Sequence, residues 1–436
     1  MISSSSGKIK RQSINVVTLG CAKNIVDSEK IMGNIPLGSF EVYHNSDKFT
    51  DIVLINTCGF INDAKQESID TMLLYVEAKK QHKVKKVFVT GCLAQRYKTD
   101  LLNEIPELDG IYGFSEIPEL IKTITNSTFD LSDNRIISTP SHYAYLKIAE
   151  GCDRTCSFCA IPFIRGKNVS YPLEKVLAEA HQLAEKGVKE LIVVAQDTTY
   201  YGFDIYKKRM LATLLEKLSD IKQFEWIRLH YAFPAGFPED VLDVMKSRSN
   251  ICKYLDIPLQ HINDTLLESM RRSITSNETR SLLRKIRERI PGIHLRTAFI
   301  VGYPGETTSQ FNELVDFVRE QRFQRMGVFN FSAEEGTSAA LLKPQISERT
   351  KIARMNKLME WQQEISFSLN QDMVGKTMKV LVDRLENDFY VARTEFDSPE
   401  IDNEVLIPAT YKLVVGDFYR VKINKAEQYD LFGEIF

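Results

Sequence analysis

Nowhere in the 436 residues is there a run of about 18 apolar side chains, the length a helix needs to cross a bilayer, so no membrane span is expected. Charge of either sign is not in excess: 56 Lys and Arg stand against 58 Asp and Glu, a formal net charge of -2. That removes any global pull toward nucleic acid and leaves only a local basic patch as a route to it. A polar, Ser-rich start from Met1 to Ser13 leads into an apolar run, Ile14 to Leu19, too short for the hydrophobic core of a signal peptide; a cytoplasmic location is the expectation. Cysteine is scarce, with seven in all. In a reducing compartment these are not expected to pair as disulfides, and clustered thiols read as metal ligands or catalytic groups. Internal repeats and extended low-complexity stretches are also missing, and no general acid-base dyad is singled out.

What is present is ordinary globular material, 43% hydrophobic and 26% charged, enough chain for two or three domains. Three short apolar runs, Ile14 to Leu19, Asp51 to Asn56 and Lys86 to Thr90, alternate with helical patterns. Such alternation predicts a doubly wound parallel-sheet domain over residues 12–128. The polar stretch Asn126 to Pro140 reads as a linker.

A second series runs through Tyr145 to Ala149, Glu190 to Ala195, Trp226 to His230, Tyr254 to Ile257, Leu295 to Val301 and Met326 to Phe331, with helical patterns such as Leu173 to Lys186 and Thr308 to Gln321 between them. Six strand-helix units predict a partial TIM-like (β/α)6 barrel over 138–368, with its site at the carboxyl ends of the strands. A helix from about Ser347 to Asn370 leads to 370–436, where Met378 to Val382, Phe389 to Arg393 and Phe418 to Ile423 are separated by turn residues. That pattern predicts a small antiparallel β-barrel.

The chemistry resides in the cysteines. Cys152, Cys156 and Cys159 follow the first barrel strand in a C-x3-C-x2-C spacing. Three thiolates on one short loop can ligate three irons of a four-iron cubane and leave the fourth open to a further ligand. The competing readings are a zinc site, which usually takes four ligands in paired spacing, and inert buried thiols.

Cys21, Cys58 and Cys92 are far apart in sequence, but each falls just past an expected strand. In a parallel sheet those carboxyl ends share one edge, so the three could face a common point and hold a second cluster; isolated buried thiols remain the alternative. Cys252 has no partner in either set and reads as structural.

The C-x3-C-x2-C spacing, with Phe158 before its last cysteine, is the one radical S-adenosylmethionine (SAM) enzymes share, and the whole chain resembles the methylthiotransferase family of those enzymes. The resemblance implies an amino-terminal domain whose Cys21, Cys58 and Cys92 bind an auxiliary [4Fe-4S] cluster. It also implies a radical-SAM barrel whose Cys152, Cys156 and Cys159 bind a second one that chelates SAM, and a TRAM-type barrel at the carboxyl end. Gly302 and Gly305, in a turn at the end of a barrel strand, would let backbone approach SAM, though most such turns are only turns. Gln196, Asp197 and Arg228, at or beside strand ends, would bond its amino group or carboxylate; for Arg228 core pairing is an equal reading.

The stretches Thr18 to Glu29, Glu150 to Pro162 and Arg393 to Asp402 resemble the branch that modifies ribosomal protein S-twelve. What that branch implies is addition of a methylthio group to the β-carbon of an aspartate in that protein, with an electron donor and a sulfur donor as further partners. From Asn370 onward acidic residues outnumber basic ones, which favours a basic ribosomal protein over tRNA; a solvated acidic face is the plain alternative. Two other functions are weighed: a tRNA methylthiotransferase with the same chemistry, which calls for a basic TRAM surface, and a non-catalytic two-cluster electron carrier, which has no use for a SAM pocket.

Overall fold

The computed structural model describes residues 11–127 and 132–436; the Ser-rich start up to residue 10, and residues 128–131 of the expected linker, lie outside the described residues. The chain divides into two compact units. One runs to Ser138 and takes in Phe163–Gly166; the other comprises Thr139–Pro162 and Lys167–Phe436. Among the described residues no helix is long and apolar enough to cross a membrane.

The first unit is a five-stranded sheet of β1 (Gln12–Thr18), β2 (Phe40–His44), β3 (Ile52–Thr57), β4 (Lys86–Gly91) and β5 (Gly110–Ile111). Its order is β2-β1-β3-β4-β5 and every pair is parallel. Alternate side chains serve opposite faces: Ile14, Val16, Ile52, Leu54 and Phe88 pack in one core, and Val53, Ile55, Val87 and Val89 in the other. Burial on both faces is why these strands are continuous apolar runs rather than an alternating pattern. Two strands escape the sequence reading. β2 is a half-buried edge strand and β5 has only two residues, so neither carries an apolar run. The order reverses between β1 and β3, a switch point beside which ligands bind at the carboxyl ends of strands.

The second unit holds six parallel strands: β6 (Tyr143–Lys147), then, after a hairpin of β7 (Ala149–Glu150) and β8 (Val169–Ser170), β9 (Glu190–Val194), β10 (Trp226–Leu229), β11 (Ile251–Asp256), β12 (His294–Val301) and β13 (Arg325–Asn330). They lie in the order β6-β9-β10-β11-β12-β13 without closing, as the six expected units require. Helix starts are set locally. Thr307 and Gln310 form a reciprocal capping box before the helix Thr308–Gln321, and Ser347 caps the helix Glu348–Gln371.

The same unit carries a closed barrel of β14 (Thr377–Glu386), β15 (Phe389–Thr394), β16 (Glu404–Pro408), β17 (Phe418–Ala426) and β18 (Asp430–Ile435), in the order β14-β15-β16-β18-β17. The expectation of an antiparallel barrel needs one correction, because β16 and β18 pair in parallel. A closed ring of five strands cannot alternate direction throughout, so one parallel pair is unavoidable.

The loop between β15 and β16 reaches onto the parallel strands. Arg228 of β10 donates to Glu190 of β9 at 2.8 Å and to the carbonyls of Thr394 and Glu395. Arg393 reaches Glu190 at 2.7 Å and Asp383 at 2.9 Å; Asp383 also meets His142 at 2.8 Å. Arg325 pairs with Asp397 at 2.9 Å, and Tyr254 donates to Asp402 at 2.8 Å. Burial opposes ionisation of Glu190, but the charges of Arg393 and Arg228 outweigh it and hold the carboxyl below its ordinary range. Asp383 and Asp397 are held low in the same way, by Arg393 and by Arg325.

The acidic excess read from the sequence is reduced here, though not removed. Asp383 and Asp397 are buried, as is the Asp402 side chain, and their charge answers Arg393, Arg325 and Arg296 rather than a partner in solvent. The surface of the small barrel is therefore less acidic than its composition.

His294 stacks on Phe396 with centroids 3.9 Å apart. Burial, with the Arg325 charge beside it, pushes its imidazole from 6.5 down to about 3. The unfolded chain takes up this proton near pH 6.5 and the folded chain does not, so stability falls as pH drops from 6.5 toward 3. The lowered carboxyls of Glu190, Asp383 and Asp397 act in the same direction at lower pH. We expect urea midpoints of His294→Phe, which keeps the stack, to decline less steeply than the parent's between pH 6.5 and 4.5; parallel slopes would remove His294 from the account.

Candidate functional site

In the first unit Cys21, Cys58 and Cys92 stand just past the carboxyl ends of β1, β3 and β4, three adjacent strands at the switch point. Cys21 caps the helix Ala22–Gly33 and Cys92 opens the helix Cys92–Glu104, positions where backbone N–H groups favour a thiolate. Gly20 has φ +89°, and a Cβ there would fall 2.7 Å from Cys58 Cβ and 2.9 Å from its Sγ. Only glycine lets the Cys21 turn come this close to Cys58.

Two asparagines tie the three turns together. Asn24 Nδ2 donates to the carbonyls of Leu19 at 2.7 Å and Thr57 at 3.1 Å, and Asn56 Nδ2 donates to the Asn24 carbonyl at 2.9 Å. Arg165 completes the group, its Nε 3.4 Å from Cys92 Sγ. Burial pushes the Cys58 thiol up to about 11, with Cys92 and Cys21 adding to the rise, and burial also raises Cys92. Burial would raise Cys21 too, but Lys23 and Arg165 outweigh it and its thiol is held below the ordinary value.

The fit to an iron-sulfur cluster rests on the donor set: three thiols close enough to act on one another's charge, glycine-lined turns and, among the described residues, no carboxylate shown bonded to them. Among the described residues no three Cys, His, Asp or Glu side chains close on a single metal ion. A cubane takes each thiolate on a different iron, which asks for a wider triangle.

In the second unit Cys152, Cys156 and Cys159 lie on the loop after β6 and β7. Burial pushes Cys152 and Cys159 up to about 12, and each also feels Cys156. The loop is pinned on both sides: Ser157 N–H donates to the Met270 carbonyl at 3.1 Å and its carbonyl accepts from Ala339 N–H at 2.9 Å. Phe158 packs with Leu266, Met270, Tyr303 and Phe331, which explains an apolar residue among three cysteines. Arg272 Nη1 lies 3.4 Å from Cys156 Sγ, and the Arg154 N–H 3.4 Å from Cys152 Sγ. Both cations approach one ring, with the guanidinium carbons of Arg154 and Arg272 4.0 Å and 4.2 Å from the Phe233 centroid. The donor set again suits a cluster with one open iron.

The remaining sequence-derived contacts fall out differently. Gln196 donates to Glu150 at 2.6 Å, and its buried Oε1 has no hydrogen-bond partner. Asp197 is engaged by Arg154 at 2.8 Å and by Thr199 N–H at 2.9 Å. Arg228 takes the core pairing: it is fully buried, with its donors on Glu190 and loop carbonyls, so it is corrected from a SAM contact to a structural cation. At Gly302 (φ +72°) a Cβ would strike the Lys351 side chain, so this glycine admits Lys351 rather than a ligand; Gly305 has open space. Cys252 is buried with Trp226, Tyr254 and Leu381, the structural role expected. Sequence reasoning missed Asn24, Arg154, Arg165 and Arg272. Arg154 lies inside the C-x3-C-x2-C motif, where its position is a usable signal; Arg272 has none.

An open sheet of six parallel strands with three cysteines on the loop after its first strand defines the class of the radical S-adenosylmethionine proteins, and the Radical SAM superfamily model matches residues 146–318. The TRAM domain model matches 374–436 and Uncharacterized protein family UPF0004 matches 13–113. Two solved structures share the fold: the radical SAM methyltransferase TsrM of Kitasatospora setae (TM-score 0.53, 14% identity, 73% of this chain and 72% of that one) and the cobalamin-dependent enzyme OxsB (TM-score 0.51, 13% identity, 82% and 56%). At that identity the likeness is one of fold. Relatives named ribosomal protein uS12 methylthiotransferase RimO are far more similar: 52% identical over 98% of this chain and 95% of the relative in Christiangramia forsetii, and 50% over 98% and 100% in Bacteroides fragilis. The chain belongs to the ribosomal protein uS12 methylthiotransferase family.

Proposed function

We propose that the chain transfers a methylthio group to the β-carbon of an aspartate in ribosomal protein uS12, in the cytoplasm. The observation that carries this reading is full-length membership of a family named for that activity, joined to two separate three-thiol sites. In this reading Cys152, Cys156 and Cys159 hold one [4Fe-4S] cluster, and Cys21, Cys58 and Cys92 hold the other. When bound, the clusters and SAM supply the one-electron and group-transfer chemistry, which belongs to the cofactors rather than to side chains; an external electron donor and a sulfur donor are further partners.

The protein's own part is to hold and screen. The Ser157 and Phe158 anchors fix the ligand loop in position, and Arg272 offers a donor to the Cys156 sulfur. Gln196 presents an unpartnered carbonyl oxygen beside Glu150 and suits an amino donor such as that of SAM; Gly305 leaves room for a ligand near the backbone.

Anaerobic reaction of the reconstituted protein with SAM, sulfide and reductant is expected to give a mass shift of one methylthio group on uS12 and none on tRNA. A tRNA adduct would keep the chemistry and overturn the substrate.

A further inference from the structure

Arg165 has no role in the reading above and is the least expected side chain in the first unit. It sits six residues past Cys159 in sequence, yet Phe163–Gly166 groups with the amino-terminal sheet. Its side chain is 2% exposed. The guanidinium is held on four sides: Nη2 donates to Asn24 Oδ1 at 2.5 Å, Nη1 to Asp27 Oδ2 at 3.0 Å, Nε points to Cys92 Sγ at 3.4 Å, and its central carbon lies 4.1 Å from the Phe114 ring centroid. Asn24 in turn fixes the turns that carry Cys21 and Cys58. A planar fork with fixed donors suits such a post, where a flexible ammonium would not.

We infer that Arg165 is a positioning residue for the amino-terminal cluster: it orients the Cys92 thiolate and, by donating to its sulfur, raises the cluster's reduction potential. The inference rests on the proposal that Cys21, Cys58 and Cys92 hold a cluster. Reduction adds negative charge to a cluster already ligated by three thiolates. A buried cation and hydrogen-bond donor at one sulfur stabilises the reduced form more than the oxidised one. Asp27 keeps the guanidinium from being a fully uncompensated buried charge, while Asn24 and Phe114 hold its plane so that Nε, not a freely rotating tip, faces the sulfur. The segment that follows the C-x3-C-x2-C loop thus supplies a donor to the other set of cysteines.

The test uses the full chain with Cys152, Cys156 and Cys159 all replaced by Ala, so that only the amino-terminal cluster is read, by electron paramagnetic resonance during a redox titration. Arg165→Met in this background is expected to hold as much iron as its parent and to be reduced only at more negative potential, by about tenfold in the reduction equilibrium, or about 59 mV for a one-electron couple. Arg165→Lys, which keeps the charge but not the fork, should fall between the two. A midpoint unchanged in Arg165→Met overturns the inference. If Arg165→Met loses its iron, the lysine variant decides: a lowered midpoint supports the role and a parental midpoint overturns it. A parent background that holds no iron at all would instead sink the second cluster itself, and would do so before Arg165 is touched.

Discussion

Cys156→Ala is expected to abolish reductive cleavage of SAM while the protein still carries about half of the parent's iron. In the proposed function the three cysteines of this loop supply all the thiolates of one cluster, so removing one leaves two, too few for a site that already keeps one iron open. The loop itself should survive the change. Its shape is held by Ser157 on Met270 and Ala339 and by Phe158 in its apolar pocket, so the loss of the Cys156 sulfur costs the loop only its contact with Arg272. Cys21, Cys58 and Cys92 belong to the other unit, where Asn24 and Asn56 tie their turns together. The measurement is anaerobic: iron and sulfide content, then 5'-deoxyadenosine release under strong reductant. Loss of all iron would sink the assignment of two independent sites, and retained cleavage would sink the placement of SAM at this loop. Parent protein that binds both clusters but cleaves no SAM would revive the electron-carrier reading.

Glu190→Gln is expected to lower stability by about 3–5 kcal/mol, the usual cost of breaking a buried ion pair by removing one partner. Glu190 is fully buried between Arg228 and Arg393, both also fully buried or nearly so. The amide can still accept a hydrogen bond, but it leaves two guanidiniums facing one fewer carboxylate, with Asp383, backbone carbonyls and aromatic rings as their remaining partners. Arg248→Met, which breaks pairs with Asp220 and Glu216 where 34% to 61% of each side chain is exposed, should cost about 1 kcal/mol or less. Urea midpoints at unchanged slope read both. A Glu190→Gln loss no larger than that of Arg248→Met would mean that the network is hydrated in solution rather than buried.

The order of strands and helices was legible because both parallel sheets are buried on two faces, and such strands announce themselves as runs like Asp51 to Asn56. β2 and β5 were not legible, since a half-exposed edge and a two-residue strand carry too little apolar signal. The C-x3-C-x2-C motif was visible because its spacing is local: three cysteines on eight residues need no tertiary structure to be recognised. The amino-terminal trio was visible only through a rule about parallel sheets, that strand ends share an edge, with the resemblance to a family supporting it.

Side-chain partners were another matter. Arg228 and Arg393 looked from sequence like a cofactor contact and a substrate-branch motif. Both serve the junction where the loop after β15 meets β9 and β10, and the pairing of Glu190 with Arg393 joins residues 203 positions apart. Arg165 joins Asn24 across 141 positions.

The chain's own residues determined which elements form, which cysteines are close in sequence, and that no membrane helix is encoded, because periodicity and spacing are local properties. Only the tertiary structure decided which cation answers which carboxylate, how much acidity the small barrel shows to solvent, and which arginine faces which sulfur. A charge takes its role from what lies within a few ångströms when water is excluded, and folding chooses those neighbours from anywhere along the chain.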